Sequence, residues 1–276
     1  MTEAQQALST WEPPTGPLGE LTRASRLRAD ALVAQRDALE RAAMAAPAMP
    51  GFGFALRQAT VRVIAEIKRR SPSKGSINEG IDAPDRARVY EQAGAAALSV
   101  LTEPERFGGS LDDLSAVRAA VVLPLLRKDF IVDEVQLFEA RARGASAALL
   151  IARGLAPERF LALARTARAI GLEVLLEVRT DAELDLALGV GDAVIGVNNR
   201  NLETLVIDDR VSERLLPRVP TDRIAVYESG VSDRAGVERA AALGADAVLV
   251  GSSLSSAADP AAALRALCGV ARHARG

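Results

Sequence analysis

The stretch "ASAALLIARGLAPERFLALARTARAIGLEVLLEV", residues 145–178, decides the fold. An apolar run from Ala145 to Ala152 passes through a short loop into a helix-like segment that opens at Pro157 and stops at Gly171. A second apolar run, Leu172 to Val178, follows at once. Proline at a helix start and glycine after its end mark the helix. Near-continuous apolar runs on either side suit parallel strands covered on both faces, with the helix as the crossover.

Working outward, the same unit recurs from Val61 onward. The apolar runs are "VRVIAEIK", "AALSVLT", "LPLLRKD", "ASAALLIA", "LEVLLEV", "DAVIGVNN", "RIAVYES" and "DAVLVGSS". Helical segments such as "DEVQLFEARARG" and "RAGVERAAALG" separate them, each with a glycine where a C-terminal cap belongs. Eight units predict a (β/α)8 barrel of the TIM type over residues 61–276. An open doubly wound sheet would place a G-x-G-x-x-G turn after its first strand. The loop there reads "RRSPSKGSINEG". Ahead of the barrel, residues 18–60 read as a helical extension, with Leu27, Ala31 and Leu39 among regularly placed charges. Residues 1–17, polar and bearing Pro and Gly, are expected to be disordered or loosely packed.

Composition narrows the chemistry. The 276 residues are 49% hydrophobic and 25% charged, with a net charge of −2 and no basic block, so nucleic acid is not an expected partner. The N-terminus has neither a basic start nor an apolar core, which predicts no leader, no membrane partner and a cytoplasmic protein. One cysteine, Cys268, forms no internal disulfide and no Cys-based zinc site. The one histidine, His273, reads as a solvated residue of the C-terminal tail. No metal or other cofactor is expected, and no Ser-His or Cys-His nucleophile is available. Catalysis must therefore fall to Lys, Glu, Asp, Asn, Ser and backbone groups.

In a barrel the active site lies at the C-terminal strand ends. The ionisable or amide residues there are Glu66 and Lys68 on the first strand, Lys128 on the third, Glu177 on the fifth, Asn198 on the sixth and Glu228 on the seventh. Glu66 and Lys68 are two apart and leave the same strand face. Burying such groups costs stability, whereas proton transfer profits from the pKa shifts that proximity and burial impose. Glu173, at the opposite end of the fifth strand, belongs to the stability face. Ser229-Gly230 and Gly251-Ser252 follow the last two strands, the usual phosphate site of this fold, and point to a phosphorylated small-molecule substrate. Phe107 and Phe130, in the loops after the second and third strands, suggest an apolar or aromatic moiety. On these residues alone, a Schiff-base aldolase, a sugar-phosphate isomerase and a non-catalytic scaffold stay open.

The motifs "IAEIKRRSPSKG", "ALSVLTEPERFGGS", "LLRKDFIVDE", "LLEV", "IGVNNRNLET", "ESGV" and "VLVGSSL" resemble those of the indole-3-glycerol phosphate synthase family, from about Leu18 to the end. The resemblance implies a (β/α)8 barrel with an N-terminal helical segment. It also implies a cofactor-free decarboxylation and dehydration, with ring closure, of 1-(2-carboxyphenylamino)-1-deoxyribulose 5-phosphate. By motif position, Lys128 is the general acid on the ketone, and Lys68, held by Glu66, engages the substrate carboxylate. Glu177 is the partner carboxylate, and Asn198 binds substrate hydroxyls on a loop that Arg200 supports. The resemblance leaves open whether Glu177 or Glu228 takes the final ring proton, and the expectation is Glu177. Ser71 and Pro72 match a mobile first loop, Ser229, Gly230, Gly251 and Ser252 the phosphate site, and Phe107 and Phe130 the ring pocket. Tyr227 before Glu228 and the polar "LSSAADP" depart from the pattern. The sequence carries no signal for an oligomeric partner, nor for whether Lys74 reaches the substrate.

Overall fold

The computed structural model describes residues 11–275. Eight parallel strands close on themselves: β1 (Arg62–Ile67), β2 (Ala97–Leu101), β3 (Leu125–Lys128), β4 (Ala147–Ile151), β5 (Glu173–Val178), β6 (Val194–Asn198), β7 (Ile224–Glu228) and β8 (Ala247–Val250). The first strand pairs with β2 on one side (Ile64 opposite Ala97) and with β8 on the other (Arg62 opposite Ala247), which shuts the barrel. Each predicted apolar run contains one strand. Helices start at side-chain caps, among them Asp133 with Gln136 and Thr180 with Glu183. Several end at glycines with left-handed φ, as at Gly171.

Period-two alternation sorts the strand residues into two cores. Val63, Ala65, Leu98, Leu125, Leu176 and Val197 pack outward against the helices. Ile64, Leu126, Leu149, Leu175, Val194 and Val226 fill the barrel interior. Continuing that inward series by two residues toward the C-terminal ends reaches Glu66, Lys128, Glu177 and Glu228, and on β6, one step further past Gly196, Asn198. The apolar layer beneath thus forms a floor, and the polar layer above it faces a cavity.

The extension consists of α1 (Gly16–Leu32), a 3-10 turn and α2 (Arg36–Ala45), followed by the short helix α3 (Phe52–Leu56). Its buried stripe differs from the expected one. Leu27 is 71% exposed and Ala31 is exposed too, while Leu18, Leu21, Ser25 and Ala29 are buried. The barrel selects the face that carries the 3-4-4 spacing of small and apolar residues, and turns the arginine-flanked Leu27 to solvent. The expectation of a loose stretch up to residue 17 lies in part outside the described residues. Within them, α1 already begins at Gly16, and Thr15 is tied to Glu203 by its backbone N–H at 2.8 Å. At the other end, His273 is exposed, yet its tail is fastened. Arg275 is buried and pairs at 2.8 Å with Asp246, the buried carboxylate at the foot of β8.

Glu173 acts at the stability face. Its two carboxylate oxygens accept from the backbone N–H groups of Phe52 (2.7 Å) and Gly53 (2.8 Å), capping α3, whose Phe52 and Leu56 plug the barrel bottom. Charge-assisted bonds to backbone N–H groups are worth about 1.5–3 kcal/mol each at most, so Glu173→Ala should lower the unfolding free energy by about 2–3 kcal/mol in urea titration. The kcat should stay within a factor of two of wild type, because Glu173 lies at the far end of the barrel from the cavity.

Candidate active site

A cleft of about 830 Å³ opens at the C-terminal mouth. Of the residues expected to form a site, Glu66, Lys68, Ser71, Pro72, Phe107, Lys128, Phe130, Glu177, Asn198, Arg200, Glu228, Ser229 and Ser252 line it together. Gly230 and Gly251 stand behind its wall. A Cβ on Gly251 would come within 2.3 Å of Glu66 Oε1 and 3.1 Å of Lys68 Nζ, so the missing side chain makes room for that ion pair. Gly230, at φ +97°, packs toward Asp209 and Tyr227.

At the centre lie three carboxylates and two ammonium groups. Lys68 Nζ is 2.5 Å from Glu66 Oε1. Lys128 Nζ is 3.6 Å from Glu177 Oε2 and 3.6 Å from Glu228 Oε2. Glu66, Glu177 and Glu228 are 2%, 4% and 2% exposed, so water screens this cluster little. Burial alone would drive Lys128 toward its neutral form, but Glu228, Glu177 and Glu66 outweigh it and hold the ammonium well above lysine's ordinary value. Burial likewise disfavours the Glu66 charge, yet Lys68 and Lys128 keep that carboxyl below its ordinary value. Glu228 goes the other way. Burial, with repulsion from Glu177 and Glu66, pushes it from 4.5 up to about 8 despite the attraction of Lys128. Three acids facing two bases leave one negative charge in excess, and a proton on Glu228 relieves it.

The rim is equally ordered. The loop after β1 folds as a small hairpin, Arg70–Ser71 against Gly75–Ser76, and leaves Lys74 exposed and off the cavity wall. Arg69 ties this hairpin to the segment after β2, through the Gly108 carbonyl of the loop (3.1 Å) and Asp113 in the first turn of the helix that follows (2.6 Å). Asn198 Oδ1 accepts from the Arg200 N–H and from Ser229 Oγ, both at 2.9 Å. Arg200 Nη1 donates to the Leu205 carbonyl at 2.8 Å. Ser229 and Leu205, both on the cavity wall, hold left-handed backbone at φ +66° and +64°. Such conformations cluster at functional sites. The rings of Phe107 and Phe130 sit 6.0 Å apart and form one aromatic wall. Tyr227 points away from the site, between strand and helix layer, where it donates to Asp209 at 3.2 Å.

Matching the whole chain to known proteins, a family model described as "Indole-3-glycerol phosphate synthase" covers residues 21–267. The chain belongs to the indole-3-glycerol phosphate synthase family. "Indole-3-glycerol phosphate synthase 2" of Streptomyces coelicolor is 49% identical over 231 residues, spanning 84% of this chain and 90% of that protein. An indole-3-glycerol phosphate synthase of Mycobacterium sp. (strain KMS) is 45% identical over 254 residues, 92% of this chain and 93% of its own. Among solved structures, 3-hexulose-6-phosphate synthase from Salmonella typhimurium superposes with a TM-score of 0.58 at 18% identity, over 75% of this chain and 96% of that one, a likeness of fold. No group of three or more His, Cys, Asp or Glu among the described residues is arranged to hold a metal ion. None of the described helices is long and apolar enough to cross a membrane.

In this family member, sequence reasoning missed several wall residues. Leu149 and Ile151 of β4 and Leu249 of β8 share the inward parity of Glu66, but a search restricted to ionisable groups passed over them. Gly196 left a signal, a glycine inside the apolar run "DAVIGVNN". A Cβ there would meet Glu228 Oε1 at 2.1 Å. Pro17 and Leu21 of α1 also line the cavity, and nothing local in the extension announces it.

The Glu228 proton has a consequence for stability. Between about pH 4.5 and 8 the folded protein holds a proton that the unfolded chain releases, so this group's stabilisation is complete at low pH and is lost as pH rises through 8. Wild type should lose stability relative to Glu228→Gln between pH 5.5 and 7.5, with a slope of at most about 1.4 kcal/mol per pH unit. Urea titration of both proteins across that range measures it.

Proposed function

We propose that the protein converts 1-(2-carboxyphenylamino)-1-deoxyribulose 5-phosphate to indole-3-glycerol phosphate, carbon dioxide and water, with its own side chains as acids and bases. The observation that carries the mechanism is Lys128 held between Glu177 and Glu228 in the cavity, 3.6 Å from each. A buried lysine kept charged in this way donates a proton to the substrate ketone as the aromatic carbon attacks it. The attacking ring carbon is the one that bears the carboxylate. Lys68, paired with Glu66 on the neighbouring wall, binds that carboxylate until it leaves as carbon dioxide. Loss of the new hydroxyl as water and of a proton from the carbon next to nitrogen then completes the indole.

The two carboxylates beside Lys128 divide these tasks. Glu228 holds a proton near neutral pH, so it suits hydrogen bonding to a substrate oxygen. Glu177, which faces Lys128 from the other side, is the base for the final proton. Asn198, fixed by Ser229 and the Arg200 backbone, receives the sugar hydroxyls, while the Arg200 side chain braces the loop.

Phe107 and Phe130 take the aryl ring. The phosphate lies at the other end, where Ser229-Gly230 meets the start of the short helix Ser252–Ser256. Helix starts offer unpaired N–H groups, and the Ser253 hydroxyl there is buried without a partner. We assign the enzyme to the cytoplasm.

Purified protein incubated with the carboxyphenylamino substrate should develop indole fluorescence. Lys128→Met should lower kcat by about 10³-fold or more, in the upper range for loss of a general acid, with KM changed less than fivefold. Lys68→Met should impair both kcat and KM. Near-normal kcat in Lys128→Met, or a borohydride-trapped adduct on either lysine, would refute the scheme.

A further inference from the structure

Beyond the reacting groups, the helical extension reaches the site through polar contacts that the mechanism above does not use. Pro17, Leu21, Ser25 and Arg28 lie at helical spacing along one face of α1. The first two line the cavity directly. The last two reach the loops that carry its aromatic rings. Ser25 Oγ donates to the carbonyl of Phe130 and accepts from Gln136 Nε2 at 2.8 Å. Arg28 places Nη2 3.1 Å from Asp129 Oδ1 and Nη1 3.7 Å from Glu103 Oε1.

Those two carboxylates have matching tasks. Glu103, fully buried, accepts the backbone N–H groups of Glu105 (3.0 Å), Arg106 (2.7 Å) and Phe107 (3.0 Å), and so folds the turn that presents Phe107. Asp129, 3% exposed, accepts the Phe130 N–H at 2.8 Å and the Thr102 hydroxyl at 2.7 Å. Arg127 also neutralises Asp129, at 3.0 Å. Glu103 has Arg28 as its one cation within 4 Å among the described residues. A buried carboxylate without a counter-charge is costly, and the turn it organises relaxes to let water reach it.

We infer that Arg28 is a positioning residue, whose guanidinium between Glu103 and Asp129 locks the Phe107 and Phe130 loops to each other and to α1. It thereby sets the spacing of the aryl pocket. The inference rests on the proposed reading that these two rings hold the aryl end of the substrate. The planar fork of arginine can serve both carboxylates at once, which a lysine's single ammonium does poorly.

Competition against the full-length enzyme with two half-ligands separates this role from general support of the fold. The probes are 2-aminobenzoate for the aryl end and inorganic phosphate for the other. Arg28→Met should raise the inhibition constant of 2-aminobenzoate tenfold or more, while that of phosphate stays within twofold. If Arg28→Met does not fold, Arg28→Lys carries the test, with a loss of threefold or more for 2-aminobenzoate alone. Equal changes for both probes, or no change for either, overturn the inference. Phe107→Ala is the control. If it leaves 2-aminobenzoate binding intact, the ring reading falls and the inference with it. If it weakens that binding while the folded Arg28 variants do not, the inference alone falls.

Discussion

Three buried carboxylates and two ammonium groups share one pocket above an apolar floor, and the structure around them follows from that constraint. Period-two alternation on β1, β3, β5, β6 and β7 turns Glu66, Lys128, Glu177, Asn198 and Glu228 inward to one cavity. Glycine at positions 196 and 251 keeps the walls clear of the Glu228 and Glu66 carboxylates. Apolar residues in these places would cost less to bury, so the cluster represents stability exchanged for chemistry. Its odd charge count leaves one acid protonated beside a firmly charged lysine in the same cavity.

Around this centre, loops are fastened to one another rather than left free. Arg69 joins the hairpin after β1 to the loop after β2 through the Gly108 carbonyl. Glu103 and Asp129 organise the Phe107 and Phe130 loops, and α1 lies across both through Ser25 and Arg28. Arg153 pairs with Glu203 at 2.9 Å, and Glu203 in turn accepts the Thr15 N–H, so the start of α1 is anchored to the loop after β6. The extension therefore belongs to the active-site wall as well as to the fold. Reaction geometry demands such bracing, because small displacements of a bound group forfeit much of the gain from proximity.

Much of this was legible in the residues. Glu66 and Lys68 stood out because charges two apart at the end of an apolar run share a strand face, and the closed barrel puts both where that rule says. The pairing of Lys128 with Glu177 and Glu228 was not legible, since it depends on the relative height of three strands that are not adjacent. The buried face of α1 was misread at Leu27 and Ala31, because a helix rich in Ala and Arg offers more than one apolar stripe and only the barrel chooses between them. Gly251 was placed at the phosphate site from its position in the chain, and its contact with Glu66 and Lys68 appears only in three dimensions. Tyr227, one of the departures from the family pattern, faces the helices and does not line the cavity.

Burial and a surplus carboxylate leave a proton on Glu228 in the free enzyme. Carboxyl-carbon NMR of protein labelled at glutamate, with Glu228→Gln to assign the resonance, reads that proton directly. The structure predicts a Glu228 signal that stays protonated through pH 7 and titrates near 8. A signal already ionised below pH 5 would mean that the buried cluster carries its full negative charge and that Glu228 holds no proton.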